Sequence, residues 1–476
     1  MAIHRKKVLW ITGGGILLVI SLVILVVLFN IKALKPRIES AASSALGMDV
    51  RIGGEMSLFF SPYFGVSLAD ISVKNGGADV ATMAKMKVGL KFLPLTRRMV
   101  EITRVELFKP VISVVRLKSG RLNIESPGGQ GLGNPVILKK LIISQGNLVY
   151  DEAKSGGKIE LEGLDLIVGD LPVGGAGGPD PMKTVTITDE IRCRKITIGK
   201  TALTNLSMSI VARNGIFDVS RVRMGIFGGA GSGTLHADFT GSSPDLRATC
   251  ALSRISIENL LQEPEKKERI EGWGDFTADL AARGKTLAEV KRSLTGRVSL
   301  DGKNILLNNI DLDARLTSLA RSQNFNLVDV GGFFLVGPLG PALVRSYSFA
   351  SFLGAAHGGK TVILKLVSIW KVGGGVAEAV DVAMSTKKHR IAMKGGLNFI
   401  SDRFEEVTAA IVDPRGCPVY TQKIHGSFDR PQINKVNVLG SLSRPMTNVW
   451  RSLKKIVGGK CTVFYSGSVP PPGGDQ

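Results

Sequence analysis

A period of two recurs along this chain and limits what it can become. Met86, Val88, Leu90 and Phe92 alternate with Lys85, Lys87, Gly89 and Lys91. Ile159 and Leu161, then Leu164, Leu166 and Val168, repeat the pattern with a slip at Gly163. Leu206, Met208 and Ile210 alternate with Ser207 and Ser209. Ile391, Met393, Leu397 and Phe399 alternate with Ala392, Lys394, Gly396 and Asn398. Successive strand side chains point to opposite faces, so each run predicts a strand with one apolar face. Turn signals separate such runs: Asn75-Gly76, Ser119-Gly120, Asn214-Gly215 and Asp301-Gly302. With 57 glycines and 6% aromatics, the composition suits strands and turns better than a coiled coil.

Alternating strands need a cover for their apolar face. A sandwich or a closed barrel supplies it from protein. An open, curved sheet leaves a trough in which acyl chains serve as the missing layer. A lipid tail entering water costs about 0.8 kcal/mol per CH₂, and an apolar track removes most of that barrier. Periodicity alone leaves both solutions open.

The N-terminus adds a second constraint. Arg5, Lys6 and Lys7 precede an uncharged apolar run, Val8 to Phe29, long enough to cross a bilayer core as a helix. It exceeds a signal-peptide core, and Lys32, Lys35 and Arg37 follow without a small-residue cleavage site. The reading is an uncleaved anchor, N-terminus in the cytoplasm, with the rest of the chain outside it.

Net charge is +21. No zinc-finger, helix-turn-helix or stacking-aromatic pattern supports nucleic acid, so anionic lipid is the partner favoured for a tethered basic chain. His4, His236, His357, His389 and His425 are scattered and form no metal-binding pair. Gly228 to Gly233 superficially suggests a phosphate loop, but no Walker lysine follows, and a β-turn or bulge is expected there. No nucleophile, base or metal constellation emerges, so the chain is read as a non-enzyme without cofactor or metal. Cys193, Cys250, Cys417 and Cys461 make no C-x-x-C pair. Cys417 follows the turn-like Asp413-Pro414-Arg415-Gly416, and a Cys417–Cys461 disulfide is expected in an exported chain. Cys193 and Cys250 sit in strand-like runs, where small buried residues are common, and their pairing stays open.

Helical patterns are few. Ile38 to Leu46 reads as a short helix stopped by Gly47. Thr286-Leu287-Ala288-Glu289 fits a capping box whose helix ends near Gly296. Met446, Val449, Trp450, Leu453, Ile456 and Val457 form a stripe accompanied by Arg444, Arg451, Lys454 and Lys455, a basic amphipathic helix. Val330–Val344 is apolar but too short to span a membrane, and glycines and prolines break it. Ser126–Pro135, Val173–Pro181 and Glu263–Glu271 read as loops or joints.

Several segments in order resemble one family. They begin with the anchor and Leu46-Gly47-Met48-Asp49-Val50-Arg51-Ile52, then Val66-Ser67-Leu68-Ala69-Asp70-Ile71 and Val105-Glu106-Leu107-Phe108-Lys109-Pro110. Lys118-Ser119-Gly120-Arg121-Leu122-Asn123 follows, with Ile124 where an aromatic is common. Lys285-Thr286 through Ser293-Leu294-Thr295-Gly296, Asp329-Val330-Gly331, Gly337-Pro338, Gly416-Cys417 and Cys461 to Val469 complete the series. The chain resembles the AsmA family of envelope proteins. The resemblance implies a mainly β fold: an N-terminal transmembrane helix, then an elongated, curved, mostly antiparallel sheet forming an apolar groove, with a few short helices. It divides the chain into 1–32 as cytoplasmic tip and anchor, 33–172 as the first groove, 182–262 as central repeats and 272–476 as the C-terminal region.

The same resemblance implies a periplasmic protein of the inner membrane, similar to bridge-like lipid transfer proteins, that moves phospholipid toward the outer membrane. Its implied partners are phospholipids and the inner membrane, with outer-membrane proteins or a partner at the far membrane as further candidates. The expected groove lining is Met86, Val88, Leu90, Phe92, Leu206, Met208, Ile210, Ile391, Met393, Leu397 and Phe399. The alternative is a non-enzymatic scaffold for outer-membrane proteins that offers a sheet edge for strand addition.

Overall fold

The alternating runs form strands, and the fold is mainly β. A computed structural model describes residues 35–91, 101–124, 136–173, 181–261, 270–318, 358–433, 437–438 and 461–473, apart from positions 41, 45, 155 and 429. The chain divides into two units, Met1–Gly215 and Ile216–Gln476. The division falls at the Asn214-Gly215 turn, within the stretch 182–262. Among the described residues no helix is long and apolar enough to cross a membrane. The run Val8–Phe29 lies outside them, as do Phe92, Val330–Val344 and the stripe Met446–Val457.

The first unit holds β1 (Asp49–Ile52), β2 (Met56–Phe59), β3 (Gly65–Asn75), β4 (Ala78–Leu90), β5 (Ile102–Arg116), β6 (Val136–Glu152), β7 (Gly157–Val173), β8 (Ile187–Ile198) and β9 (Thr201–Arg213). Strands β1 and β2 both pair with β3, and β3 to β9 pair in chain order. Every one of these pairings is antiparallel except β5 with β6. A parallel pair requires the chain to return to the strand end at which β5 began before β6 starts at Val136. Ahead of β1, helical backbone at residues 35–40 and 42–44 ends before Gly47, whose φ of 65° is the left-handed helix stop. Ile38 and Ala42 of that segment pack on Val50, Ile52, Leu68 and Ile71.

The alternation slips at defined places. A residue with left-handed backbone interrupts β3 at Asp70 (φ 50°), β5 at Lys109 (49°), β6 at Gln145 (53°), β7 at Gly163 (66°) and β9 at Asn205 (50°). The second unit repeats the device at Arg221, Arg254, Asn304 and Glu406. A residue of this kind bends the strand and exchanges the parity of its faces, and at Gln145, Gly163, Arg221, Arg254, Asn304 and Glu406 the register shifts as well, as at a bulge. Leu68 and Ile71, an odd number of positions apart, therefore enter one cluster. Neighbouring strands cap the N–H groups displaced from the ladder. Gln145 N donates to Asp165 Oδ1 at 2.9 Å, Gly163 N to Asn147 Oδ1 at 3.0 Å and Arg254 N to Asp275 Oδ1 at 2.8 Å.

The second unit holds β10 (Ile216–Ile226), β11 (Gly229–Asp238), β12 (Asp245–Ser256), β13 (Ile270–Arg283), β14 (Thr295–Asn308), β15 (Lys360–Gly373), β16 (Val376–Ser385), β17 (Arg390–Asn398), β18 (Arg403–Val412), β19 (Pro418–Ser427), β20 (Arg430–Ile433) and β21 (Asn437–Val438). They pair antiparallel in chain order up to β20, and β21 returns to β19. One face is a closed core: Leu300, Ile305, Leu307, Ile363 and Trp370 pack with Ile310, Leu312 and Leu316 around the short helix Leu312–Ser318. The helix Leu287–Ser293 starts on the expected box. Thr286 Oγ1 accepts from Glu289 N, and Glu289 Oε2 accepts from Lys285 N at 2.8 Å.

Two turn expectations need correction. The turn after β3 is made by Gly76 and Gly77 (φ 57° and 84°), with Asn75 paired to Ala78 as the last strand residue. Asp301-Gly302 is no turn: both residues lie inside β14, opposite Val367 and Leu366. Lys365 Nζ reaches the Asp301 carboxylate at 2.6 Å. Keeping Val298, Leu300, Ile305 and Leu307 in the core outweighs the local turn preference. Phe227 and Gly228 do form a tight turn between β10 and β11.

The other face of β15 to β18 is covered by the chain's end. Val367, Ala383, Ala392 and Ala410 stand opposite one another on four successive strands. These small residues seat Tyr465 and Val469. Tyr465 Oη donates to Asp381 Oδ1 at 2.6 Å and accepts from Val469 N at 2.9 Å, while Ser468 N and Oγ donate to Asp381 Oδ2. Arg390 Nη1 donates to Val469 O, and its Nη2 to the carbonyls of Asp413 and Pro414. Cys417 and Cys461 are joined, their Cα atoms 6.0 Å apart across a separation of 44 residues. The bond staples this extended tail. Burial, then the Asp381 hydrogen bond, holds the Tyr465 phenol well above its usual range.

Cys461→Ser should lower stability by about 2–5 kcal/mol, read as a fall in denaturation midpoint. The Tyr465 shift makes its stabilising contribution constant below about pH 10 and lost as pH rises further. Tyr465→Phe should flatten that alkaline limb of the stability curve, and an unchanged limb would contradict the linkage.

Candidate functional site

The strand registers carry apolar residues across the first unit in continuous rows. One runs Leu58, Val66, Val88, Val105, Leu141 and Val168. A second runs Met56, Leu68, Met86, Leu107, Ile143 and Leu166. A third runs Val50, Val73, Ala81, Ile112, Leu148, Leu161, Ile196 and Leu203. Residues directly opposite one another across a ladder share a face, so these rows form one apolar surface. Val88, Val105, Leu107, Leu141, Ile143 and Leu166 are only partly buried.

Polar residues frame that surface. Beyond Ile112 and Leu148 the rows end at the opposed pair Arg116 and Glu152, 3.6 Å apart. Tyr150 Oη donates to Glu152 Oε2 at 3.0 Å, and partial desolvation, then that bond, raises its phenol. On the opposite face Lys87 stands between Ser67 and Glu106, its Nζ 5.6 Å from the centre of the Phe59 ring and 5.4 Å from that of Phe108.

The expected lining residues fall into two settings. In the first unit Met86 and Val88 lie in the rows, and Leu90 pairs with Ile102 at their end. On β9, Leu206 stands opposite Cys193, Met208 opposite Ile191 and Ile210 opposite Asp189. Leu206 and Met208 are half-buried, while Ile210 is buried. In the second unit Ile391 and Leu397 are 0% exposed and Met393 2%, within a core that also contacts Phe399. Ile391 stands in the row Leu366, Met384, Ile391, Ile411 and Tyr420, tightly packed by protein. Phe92 lies outside the described residues.

Residues at Val105, Leu107, Leu141, Ile143, Ile112 and Leu148 belong to the surface but were not singled out from sequence. Leu141-Ile142-Ile143 is apolar at both parities, so alternation gave no face, and the slips at Lys109 and Gln145 broke the period. Cys193 and Cys250 are free thiols. Burial pushes the Cys193 thiol up, which keeps it protonated, and it sits between Leu164 and Leu206 as a small apolar residue. Among the described residues no group of histidine, cysteine and carboxylate side chains is arranged to hold a metal.

The AsmA family model matches residues 1–187 and again residues 183–330. The chain belongs to the AsmA family. No curated protein and no solved structure matches it. The two family matches take in the three apolar rows of the first unit, and the row from Leu366 to Tyr420 lies beyond them.

Exposure separates the two settings chemically. Met86 and Met208 should convert to sulfoxides under mild peroxide on the order of tenfold faster than the buried Met384 and Met393, as read by peptide mass spectrometry. Equal rates would mean that the first unit's apolar face is as closed as the second unit's core.

Proposed function

We propose that this AsmA-family protein is an inner-membrane-anchored lipid carrier of the periplasm, in which acyl chains occupy the apolar face of the first unit on their way toward the outer membrane. The observation that carries the reading is the set of apolar rows that run from strand to strand while staying only partly covered by protein. An apolar surface of that extent is costly in water and is stabilised by a ligand that is itself apolar. Acyl chains fit because they need no fixed hydrogen-bond partners, and the rows offer none along their length. Polar groups enter at the margin, at Arg116, Tyr150 and Glu152, where a head group stays wet. The chemistry required is binding and release, with no bond made or broken, which accords with the non-enzymatic reading.

Native mass spectrometry of the full-length protein released from membranes without harsh detergent should find phospholipid bound. Val88→Asp places a charge in the middle of a row, where acyl chains would have to desolvate it. That variant should lose bound lipid while staying folded. Thr82→Asp, at an exposed position of the opposite face between Ser72 and Val111, should keep it. Loss in both, or in neither, would sink the assignment of this face.

The topology has its own test. Protease added to spheroplasts should digest nearly the whole chain beyond Lys32. A protected C-terminus would reverse the proposed orientation.

A further inference from the structure

Four aromatic residues, Phe59, Phe60, Tyr63 and Phe64, fall within six positions of a chain that has few aromatics. They form the turn from β2 into β3 and cluster on one another. The Phe59 and Tyr63 ring centres are 5.0 Å apart, and those of Phe60 and Phe64 5.3 Å. Phe60 is nonetheless 54% exposed, and Ser61 and Pro62 beside it are exposed as well. The surroundings are cationic. Arg104 stacks on Tyr63 at 4.4 Å, Lys87 faces Phe59, and Lys91 is exposed just after β4. Among the described residues, Glu106 accepts from Tyr63 Oη at 2.7 Å, Glu101 pairs with Lys91, and Glu55 is exposed just before β2.

The direction of the N-terminal helical segment gives this turn a meaning. Lys35 Nζ donates to Gly54 O, Glu39 Oε1 accepts from Ile52 N at 2.7 Å, and Ser43 Oγ accepts from Val50 N at 2.9 Å. As the residue number falls from 43 to 35, its partner rises from 50 to 54. The segment therefore lies antiparallel to β1, and its N-terminal end points the way the chain runs from Gly54 to Phe60. Phe29, the last residue of the apolar run, is only six residues before Lys35, a reach of at most about 21 Å. Phe60 is six residues beyond Gly54, about 20 Å along an extended chain.

We infer that the Phe59–Phe64 turn seats in the headgroup layer of the same bilayer that holds the N-terminal anchor, on its periplasmic side. This rests on the anchored reading given above. Aromatic rings flanked by lysine and arginine are the side chains that an anionic lipid interface accepts, rings at the acyl boundary and ammonium groups toward phosphate. The seat also sets where the apolar face begins. The row Leu58, Val66, Val88 and Val105 lies at this end of the strands, so an acyl chain leaving the leaflet meets it without crossing water.

The test uses the full-length protein in its native membrane, with a photo-reactive amino acid at position 60, 88 or 119 and mass spectrometry of the adducts. Ser119 sits in the turn after β5, at the opposite strand end. Phospholipid adducts on the order of tenfold more abundant at 60 than at 119 are expected. No lipid adduct at 60 while 88 is captured would overturn the seat and leave lipid binding standing. A protein adduct at 60, or equal lipid capture at 60 and 119, would also overturn it. Release of the protein by alkaline carbonate would overturn the anchor and the seat together, whatever position 88 captures.

Discussion

An apolar strand face has to be taken out of water, and the fold follows from how each unit does so. In the second unit protein does the covering. Ile391, Leu397, Met384 and Trp370 are sealed in a core with Ile310, Leu312 and Leu316, and the reverse face of the same strands receives the tail. In the first unit the helical segment before β1 covers Val50, Ile52, Leu68 and Ile71. The rows through β5, β6 and β7 keep partial access to solvent. The hydrophobic contribution left unrealised on such a face is what the proposed lipid binding would use.

Continuity of those rows depends on the left-handed residues inside the strands. Strict alternation without these slips would turn the apolar set to the polar face halfway along. Asp70, Lys109, Gln145, Gly163 and Asn205 reset the parity at a backbone conformation few non-glycine side chains adopt. The displaced N–H groups are then satisfied by Asp165 and Asn147 from adjacent strands. The polar side chains near these slips thus have a structural task, and their place at mid-strand is consistent with a bent sheet rather than a weak one.

The tail clasp is the counterpart in the second unit. Asp381 gathers three donors, from Tyr465 and Ser468, and Arg390 gathers three carbonyls. Small side chains at Ala383, Ala392 and Ala410 leave the room. Gly416 has φ 84°, and a Cβ there would lie 1.9 Å from Tyr465 O, so only glycine lets the Cys417 turn approach the tail this closely. The disulfide closes an arrangement that packing and hydrogen bonds already specify.

The sequence by itself determined the strand content, the apolar parity around Met86, Val88, Leu206 and Met208, the helix stop at Gly47, the capped helix after Thr286 and the family. Each of these is local: a period, a cap or a turn is encoded within a few residues. Tertiary structure alone decided the rest. Nothing local in Val105–Ile112 or Leu141–Leu148 states that β5 and β6 lie parallel, since that is a pairing between separate segments. Nothing local separates Ile391 from Met86: both alternate identically, yet one is sealed and the other half open. Periodicity reports which side of a strand is apolar. What covers that side is a contact between segments distant in sequence, and only the packed structure contains it.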